Sequence, residues 1–402
     1  MIKLNANDGG TDKIMQVTSD TLKVAIVHDW LVSWSGAEKV LEQMLLIWPH
    51  AEVFTMVNAF GDALPKPLVG KILHTSLIQK LPFAKKYYRH YLPLMPFAVE
   101  QFDLSKFDLV ISSSHAVAKG VITGPDTLHI SYCYSPMRYA WDLQHEYLQQ
   151  SNPNKLSEWL MRYSLHRIRK WDSQSSLRPD HIIAISKYIG RRIDKCYRRS
   201  SDVVYPPVAT DTVNQHFVPF LEKDGYYIAA SRLVPYKRIP LIAEALAVMG
   251  NRKLIIIGDG PEKARLETQI NQLDEEKKAN ICYLGYQGDV ILYQYLANAQ
   301  ALIFAAEEDF GILPIEAQSV GTPVIAFGRG ALTETILDNK TGLFFNEASV
   351  ESIIEAINRF EAREWDSDAC VENAQRFSEQ TFIDNLLEKM ATRWNAFNNA
   401  RS

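Results

Sequence analysis

Two carboxylates flank a glycine-containing turn in the second half of the chain. Glu308 and Glu316 are separated by seven residues, and a proline stands two residues before Glu316, where it can occupy the first turn of a helix. The loop would then bring free backbone N–H groups to the same point as Glu308. These belong to Phe310, Gly311 and Ile312. Carboxylates accept sugar hydroxyls and backbone N–H groups bind phosphate, so the pattern indicates a site for a phosphate-linked sugar; a surface loop with a carboxylate at a helix N-terminus is the alternative.

Two basic side chains follow a predicted strand in the same half. Arg232 and Lys237 could reach one diphosphate, the arginine through its planar guanidinium and the lysine as a point charge. A solvated basic loop is the alternative. Gly258 follows the next strand in a Gly-Asp-Gly sequence, but the G-x-G-x-x-G fingerprint is absent, which disfavours a dinucleotide-dependent dehydrogenase.

The first half of the chain offers less specific candidates. Gly36 stands at a strand-to-helix turn, where backbone can approach a ligand closely. His115 comes just after a predicted strand and would face the expected cleft, although a structural histidine is the commoner case. The segment 129–142 is rich in Tyr, Arg and Trp, which is typical of sugar recognition and equally of the edge of a packed core.

Strands and helices that alternate along the chain must position these loops. Predicted strands lie at 22–30, 51–57, 108–114, 129–134 and 180–186, and, after two prolines, at 225–231, 253–260, 281–285, 301–306 and 322–328. Predicted helices lie at 35–48, 238–250, 262–277, 290–299, 313–321 and 378–397. This alternation predicts an α/β fold with two doubly wound, Rossmann-like domains that face a cleft, with ligands beyond the carboxyl ends of the strands.

The expected organisation is a flexible leader at 1–22, a first domain at 23–208, a second domain at 209–380 and a C-terminal helix at 381–402. A chain of 402 residues is long enough for two domains with separate cores. Four widely spaced cysteines form no C-x-x-C pair, which argues against disulfide frameworks and structural zinc and fits a reducing cytoplasm. No apolar run is long enough to span a bilayer, and the polar start does not resemble a signal peptide.

Charge is distributed unevenly. Residues 23–208 carry 23 Lys and Arg against 16 Asp and Glu, whereas residues 209–402 carry 18 against 28. The segment 77–100 interleaves basic and aromatic residues, as membrane-interface segments do, and 189–200 adds five basic residues. These features favour an anionic membrane or substrate next to the first half, with a solvated basic face as the alternative. Nucleic acid is disfavoured because the second half is acidic and no nucleic-acid motif is present.

Together the motifs resemble retaining GT-B glycosyltransferases of the family 4 type, from Lys23 to the last helix. Glu308 and Glu316 match the E-x(7)-E motif of that family within EDFGILPIEA, and Arg232 and Lys237 match its diphosphate-binding pair. The sequences SGAEKV, SSSHAVAKG and SPMRYAWD further resemble bacterial O-antigen, capsule and exopolysaccharide mannosyltransferases. The chain departs from that subgroup in its leader and at residue 134, where the subgroup often has His.

The resemblance implies a role for each candidate residue. Glu316 would hold the nucleotide ribose, and Glu308 with the three amides would hold the donor sugar. Arg232 and Lys237 would stabilise the leaving diphosphate, and His115 would contact the sugar near the reacting carbon. Two glycines would add donor contacts and four residues acceptor contacts. These are Gly36 and Gly258 for the donor, and Tyr134, Met137, Arg138 and Trp141 for the acceptor.

The implied reaction transfers a hexose, mannose from GDP-mannose first, to a lipid-linked or growing bacterial surface glycan with retention at the anomeric carbon. Front-face attack is the expected mechanism because no nucleophile is evident. No cofactor or metal is expected, since no D-x-D motif stands in a plausible site and cationic side chains can neutralise the leaving group. We expect a cytoplasmic protein that contacts the inner face of the membrane through 77–100 and 189–200, with the last helix packed back on the first domain. The alternatives are a UDP-sugar donor, a sugar-nucleotide 2-epimerase and a non-catalytic glycan-assembly subunit.

Overall fold

The computed structural model of this chain describes residues 14–145, 148, 154–211 and 225–401. It contains two compact units. The first comprises the chain up to Pro206 together with the segment from Phe382 onward, and the second comprises Pro207–Thr381. Each unit is built around its own parallel sheet.

The described residues of the first unit form a seven-stranded sheet in which every pair of neighbouring strands is parallel. Its strands are β1 (Val24–His28), β2 (Glu52–Thr55), β3 (Leu73–Thr75), β4 (Leu109–Ser114), β5 (Leu128–Cys133), β6 (His181–Ala184) and β7 (Asp202–Val203). Their order is β3-β2-β1-β4-β5-β6-β7, so the strand order reverses between β1 and β4. In doubly wound sheets ligands bind beyond the carboxyl ends of the strands at such a switch point.

The described part of the second unit forms a six-stranded parallel sheet. Its strands are β8 (Tyr226–Ala230), β9 (Lys253–Ile257), β10 (Ile281–Tyr283), β11 (Ala301–Phe304), β12 (Val324–Phe327) and β13 (Gly342–Phe345). Their order is β10-β9-β8-β11-β12-β13, which puts the switch point between β8 and β11. The predicted α/β fold with two Rossmann-like domains is confirmed.

Helices connect the strands in both units. The α-helices are α1 (Gly36–Ile47), α2 (Ala84–Tyr87), α3 (Met95–Val99), α4 (Lys155–Ser175), α5 (Lys187–Tyr197), α6 (Ile239–Met249), α7 (Lys263–Asn271), α8 (Glu275–Lys278), α9 (Asp289–Asn298), α10 (Ile312–Ser319), α11 (Leu332–Thr335), α12 (Val350–Glu361), α13 (Ser367–Gln375) and α14 (Glu379–Asn399). Short 3-10 helices cover Lys66–Leu68, Leu77–Lys80, Tyr88–Leu94, Ala118–Gly120 and Pro235–Lys237. None of the described helices is long and apolar enough to cross a membrane.

Each strand predicted from the sequence is present, but the predicted helix 262–277 is two helices, α7 and α8. The chain breaks between them because Asp274 caps a new helix: its side chain accepts a hydrogen bond from the backbone N–H of Lys277 at 2.9 Å. The strands β3, β7 and β13 were missed, since their runs of three, two and four residues are too short for a periodic signal.

Part of the segment expected to precede the fold packs against it. Residues 14–17 are helical, and Val17 is completely buried. The backbone carbonyl of Val17 accepts a hydrogen bond from Trp48 Nε1 at 2.9 Å, and that of Leu22 lies 2.9 Å from His50 Nε2. The expectation of a flexible leader is therefore corrected for residues 14–22. Its remaining residues, 1–13, lie outside the described part of the chain.

Candidate functional site

The loops after β8 and β11 lie at the switch point of the second sheet and carry two of the predicted site residues. Lys237 ends the 3-10 helix that follows β8, and Glu308 follows β11. The ammonium of Lys237 and Oε1 of Glu308 form an ion pair in which the two side chains are only 16% and 17% exposed. The fold thus brings together two oppositely charged groups that are 71 residues apart in the sequence.

Aromatic rings surround the Lys237 ammonium. Its Nζ lies 5.0 Å from the ring centroid of Phe304 and 5.4 Å from that of Tyr236. Arg238, the next residue, has a left-handed backbone with a φ of 54° and donates a hydrogen bond from Nη1 to the carbonyl of Ala305 at 3.1 Å. Cation–π contacts and reduced solvation make the ammonium a strong electrostatic group for an anion that reaches it.

Glu308 is fixed through its backbone. Its carbonyl accepts a hydrogen bond from the N–H of Ala331 at 2.9 Å. The chain passes so close at Gly330 that a Cβ there would lie 2.5 Å from the Glu308 carbonyl oxygen, and Gly330 has a φ of 68°. Only glycine fits this approach without displacement, so the position of Glu308 depends on the loop after β12.

The N-terminus of α10 lies three residues after Glu308. Gly311 is the N-cap, with a φ of 87°, and a Cβ there would lie 2.7 Å from Leu332 Cδ2. The Phe310 ring is buried against Phe377, with ring centroids 5.7 Å apart, so its backbone and not its side chain is placed to serve the site. The first N–H groups of a helix have no partner within the helix, which makes this turn suited to an anion.

Glu316 lies within α10 and is held from the neighbouring helix. Tyr293 of α9 donates its phenolic hydrogen to Glu316 Oε1 at 2.9 Å. Burial, with the Glu316 carboxylate beside it, holds the pKa of the Tyr293 phenol well above its usual value, so the phenol stays a donor. Sequence reasoning missed Tyr293 because nothing in its spacing distinguishes it from a helix-packing residue.

Arg232 is exposed and makes no hydrogen bond or ion pair with the residues that the structure describes. The loop that carries it packs against Gly258 and Gly260. A Cβ at Gly258 would lie 1.8 Å from the Ser231 carbonyl oxygen, and one at Gly260 would lie 2.4 Å from that of Leu233. The visible role of Gly258 is therefore backbone packing that positions Arg232. A direct donor contact from Gly258 stays a prediction.

An Asp-x-Asp sequence occurs at 366–368 and has a structural role. The side chain of Asp366 accepts hydrogen bonds from the N–H groups of Asp368 and Ala369 at 2.9 and 3.3 Å, which caps α13. This segment is therefore explained without a ligand. Metal independence remains a prediction.

The switch point of the first sheet contains a buried carboxylate that sequence reasoning missed. Asp29 follows β1 and is completely buried. Its two oxygens accept hydrogen bonds from four consecutive backbone N–H groups after β4. These belong to His115 (2.6 Å), Ala116 (2.8 Å), Val117 (2.7 Å) and Ala118 (2.7 Å). A single carboxylate thereby fixes the loop that carries the predicted site histidine.

The His115 side chain is about one-third exposed and is held on three sides. Its Nδ1 lies 3.1 Å from Asp29 Oδ2. Its ring stands edge-on to Trp30, with centroids 4.5 Å apart, and 6.2 Å from the ring of Tyr134. Burial lowers the pKa of His115 below its usual value, although Asp29 acts in the opposite direction. At neutral pH the imidazole is therefore uncharged.

The Tyr134 hydroxyl belongs to a hydrogen-bonded chain inside the first unit. It donates to the carbonyl of Ala37 at 3.0 Å and lies 2.9 Å from Ser113 Oγ. Ser113 Oγ is in turn 3.0 Å from His28 Nδ1, and His28 Nε2 lies 3.7 Å from Glu38 Oε1. Burial holds the pKa of Tyr134 far above its usual value. Tyr134 thus joins the end of β5 to the start of α1.

Gly36 is the first residue of α1, as the sequence predicted. Ser35 is the N-cap, and its backbone N–H donates to Glu38 Oε2 at 3.1 Å. This reciprocal cap explains where α1 begins. Contact between Gly36 and a donor stays a prediction.

The predicted acceptor residues differ in their surroundings. Met137 is completely buried in the apolar core of the first unit, so its assignment as an acceptor contact is corrected. Its flanking sequence resembled a binding motif, but its side chain fills the core. The indole Nε1 of Trp141 donates to Asp172 Oδ2 at 2.7 Å. Asp172 is buried, also pairs with Lys119 and accepts from Tyr197 Oη at 3.0 Å, so Trp141 is partly a structural residue. Arg138 is partly exposed.

Residues 212–377 match the family model described as "Glycosyl transferases group 1". Among curated proteins, the chain is 28% identical over 195 residues to the O-antigen chain mannosyltransferase RfbU of Salmonella typhimurium, covering 45% of this chain and 53% of RfbU. It is also 28% identical over 207 residues to the GDP-mannose-dependent alpha-(1-6)-phosphatidylinositol monomannoside mannosyltransferase of Mycobacterium tuberculosis, covering 44% and 51%. The chain spans about half the length of the curated relatives that it matches.

Solved structures are similar over almost the whole chain. The lipopolysaccharide outer core galactosyltransferase WaaB in its apo form matches with a TM-score of 0.63 and 18% identity, covering 95% of this chain and 100% of that one. Anabaena Alr3699/HepE in complex with UDP-glucose matches with a TM-score of 0.62 and 17% identity, covering 92% and 99%. At these identities the likeness shows the fold. Residues 212–377 of this chain therefore belong to the glycosyl transferases group 1 family, and its two Rossmann-like units have the fold of GT-B glycosyltransferases.

Proposed function

We propose that this chain is a retaining glycosyltransferase that transfers a hexose from a nucleotide sugar to a lipid-linked or growing bacterial surface glycan. The observation that carries the proposal is the Lys237–Glu308 pair beside the N-terminus of α10. A nucleotide sugar needs a cation for its diphosphate and an acceptor of hydroxyl hydrogen bonds for its sugar. This one site offers both, together with helix N–H groups for an anionic oxygen.

Donor binding would change the partner of Lys237. In the structure the ammonium is neutralised by Glu308. A diphosphate oxygen would take its place, with Arg232 as the second cation, and the Glu308 carboxylate would then accept hydrogen bonds from sugar hydroxyls. Glu316, held by Tyr293, would accept the ribose hydroxyls. The neutral imidazole of His115 would contact the sugar near its reacting carbon.

The reaction would proceed on one face of the donor sugar. The bond between C1 and the diphosphate oxygen breaks, the acceptor hydroxyl oxygen forms a bond to C1 on the same face, and the hydroxyl proton passes to the departing phosphate oxygen. The products are the glycosylated acceptor and a nucleoside diphosphate, so atoms and charge balance without an added base. Lys237 and Arg232 stabilise the negative charge that develops on the leaving group.

Two donors are supported by different relatives. GDP-mannose is our first choice, because one curated relative is named as GDP-mannose-dependent and another as an O-antigen mannosyltransferase. A UDP-sugar is the second choice, because HepE has been crystallised with UDP-glucose. The sugar-nucleotide 2-epimerase and non-catalytic alternatives are separated from transfer by experiment.

A lipid-linked acceptor would require the protein to work at the inner face of the cytoplasmic membrane. The segment 77–100 supports this, because it exposes large apolar side chains between cations. Its exposed apolar residues include Phe83, Tyr87, Leu94 and Phe97, and its exposed cations include Lys85, Lys86 and Arg89. The basic segment 189–200 is the second region proposed to contact the membrane.

Nucleoside diphosphate release tests the proposal. The purified protein would be incubated with GDP-mannose, UDP-glucose, UDP-galactose or UDP-N-acetylglucosamine, each with and without bacterial lipid extract. Release from GDP-mannose that the extract stimulates and that Glu308→Ala abolishes would support the proposal. Release from a UDP-sugar alone would change the donor. Conversion of a donor to its epimer without release, or no activity that depends on Glu308, would contradict transfer.

A further inference from the structure

The first half of α4 exposes a row of large apolar side chains. Leu156, Trp159, Leu160 and Tyr163 are 70%, 62%, 50% and 52% exposed. Their spacing of three, four and seven residues puts them on one face of the helix, which we call the α4 stripe. The Trp159 and Tyr163 rings are stacked, with centroids 5.9 Å apart and planes at 8°. The stripe therefore forms one continuous apolar surface.

The face that carries the α4 stripe is cationic further along the helix. Arg167 and Lys170 are exposed and continue the same spacing toward the C-terminus. The two acidic residues of α4 lie on the opposite side. Glu158 pairs there with Arg162, and Asp172 is buried. An apolar patch beside uncompensated cations is typical of helices that lie in the interface of an anionic membrane.

The second half of α4 anchors the helix to the first unit. Ile168 is buried in the apolar core. Trp171 Nε1 donates to Glu100 Oε1 at 3.0 Å, and Arg178 pairs with the same carboxylate. Glu100 is the last residue of the segment 77–100, whose exposed aromatic and basic residues are described above. The α4 stripe is thus carried by a rigid element that is tied to the other proposed membrane-contacting segment.

We propose that the α4 stripe inserts into the interfacial region of an anionic membrane, with Arg167 and Lys170 on lipid phosphates. Trp and Tyr suit this depth because their rings are apolar and their polar tips reach water. A second copy of this chain is a poorer occupant, because pairing two such faces would bring their like charges together. The inference deepens the proposed function by assigning a membrane-docking surface to it.

Co-sedimentation with vesicles tests this surface. The full-length protein would be mixed with vesicles of phosphatidylcholine alone or with about 30% phosphatidylglycerol. Trp159→Ala combined with Tyr163→Ala should weaken partitioning roughly tenfold or more, because two interfacial rings are lost. Arg167→Gln combined with Lys170→Gln should weaken binding to the anionic vesicles roughly tenfold and leave binding to neutral vesicles unchanged.

Tyr286→Ala is the matched control, because Tyr286 is 74% exposed in the second unit, and it should bind like the unmodified protein. Circular dichroism melting would show that each variant is folded. Unchanged vesicle binding in both double variants would overturn the proposal. So would a dimer in solution that Trp159→Ala with Tyr163→Ala converts to a monomer, since the stripe would then be an interface between copies.

Nucleotide binding separates this inference from the proposed function. The α4 variants should bind GDP or UDP as the unmodified protein does, because Lys237 and Glu308 belong to the other unit. Loss of vesicle binding with intact nucleotide binding supports the surface. Normal vesicle binding in a chain that uses no sugar donor would contradict the enzyme but not the surface.

Discussion

The Asp29 carboxylate accepts the backbone N–H of His115 at 2.6 Å and also lies 3.1 Å from Nδ1 of the same residue. Three further N–H groups in succession bind the same carboxylate. The loop after β4 is thus wrapped around one anion that is supplied by the end of β1. Because these two strands are neighbours at the switch point, Asp29 fixes both the backbone and the ring of His115.

Asp29→Asn should destabilise the first unit by roughly 3 kcal/mol, because an amide offers one acceptor oxygen and turns an N–H group toward buried donors. Urea unfolding followed by Trp fluorescence would measure the change. Asp62→Asn, at an exposed aspartate, is the control and should change little. An unfolding midpoint for Asp29→Asn that equals that of the unmodified protein would show that the four short hydrogen bonds contribute nothing net.

Lys237 and Glu308 should affect binding and turnover differently. Lys237→Met should weaken GDP or UDP binding roughly tenfold, since a charged hydrogen bond to the diphosphate is lost. Glu308→Ala should bind the same nucleotides as tightly as before or more tightly, because the ammonium is freed, yet lower turnover at least about 10²-fold. Isothermal titration and steady-state kinetics would measure both. Equal losses of nucleotide affinity in the two variants would contradict the division of roles.

Arg232→Ala should lower turnover at least about 10²-fold while leaving protein stability unchanged, because this exposed side chain has no partner among the described residues but would stabilise the leaving diphosphate. Initial rates with saturating donor would measure the effect. A near-normal rate in this variant would remove Arg232 from the site.

Gly311→Ala should impair donor binding and stability more than Gly250→Ala does. Both glycines have positive φ, 87° and 76°, so both alanine variants pay backbone strain of about 1 kcal/mol or more. Only at Gly311 would the new Cβ also lie 2.7 Å from Leu332 Cδ2, whereas at Gly250 it would meet nothing within 4 Å. Thermal melting and nucleotide titration would measure the difference. Equal effects at the two glycines would show that the α10 turn tolerates displacement.

Two buried histidines should make the first unit sensitive to acid. Burial lowers the pKa of His129 to about 3 and also lowers that of His115. The unfolded chain binds these protons at its ordinary histidine pKa of about 6.5, so stability should fall as the pH decreases from about 6.5 toward 3. Unfolding midpoints at several pH values would measure the slope. His129→Gln should flatten it, and an unchanged slope would contradict a neutral, buried His129.

Chelation should leave turnover unchanged, because Arg232 and Lys237 supply the positive charge that the leaving diphosphate requires. The rate would be compared before and after treatment with EDTA. Loss of activity that manganese or magnesium restores would contradict metal independence.

The sequence was sufficient for the fold because each central strand is a short apolar run bounded by polar loops. β1, β4 and β5 are buried along their whole length, so their runs stand out. It was also sufficient to group Glu308, Glu316, Arg232 and Lys237, because loops after parallel strands converge at one edge of a sheet. The ion pair itself was not predicted, since spacing does not reveal which side chains meet across loops.

Other features depend on packing that no local pattern encodes. Asp29 resembles any polar residue after a strand, and its four donors lie more than 80 residues away. Met137 stands in a motif rich in Tyr, Arg and Trp but fills the core. The α4 stripe was missed because exposed and buried apolar residues look alike in a sequence until the partner surface is known.

Transfer of a labelled hexose to bacterial lipid extract tests the central claim most directly. The unmodified protein, Glu308→Ala and the control Glu355→Ala would be compared with the donor that gives the highest nucleoside diphosphate release. Glu355 is exposed on α12, apart from the loops after β8 and β11. The account predicts labelled glycolipid with the unmodified protein and Glu355→Ala, and at least about 10²-fold less with Glu308→Ala. Equal transfer by all three proteins, or labelled product from none, would contradict it.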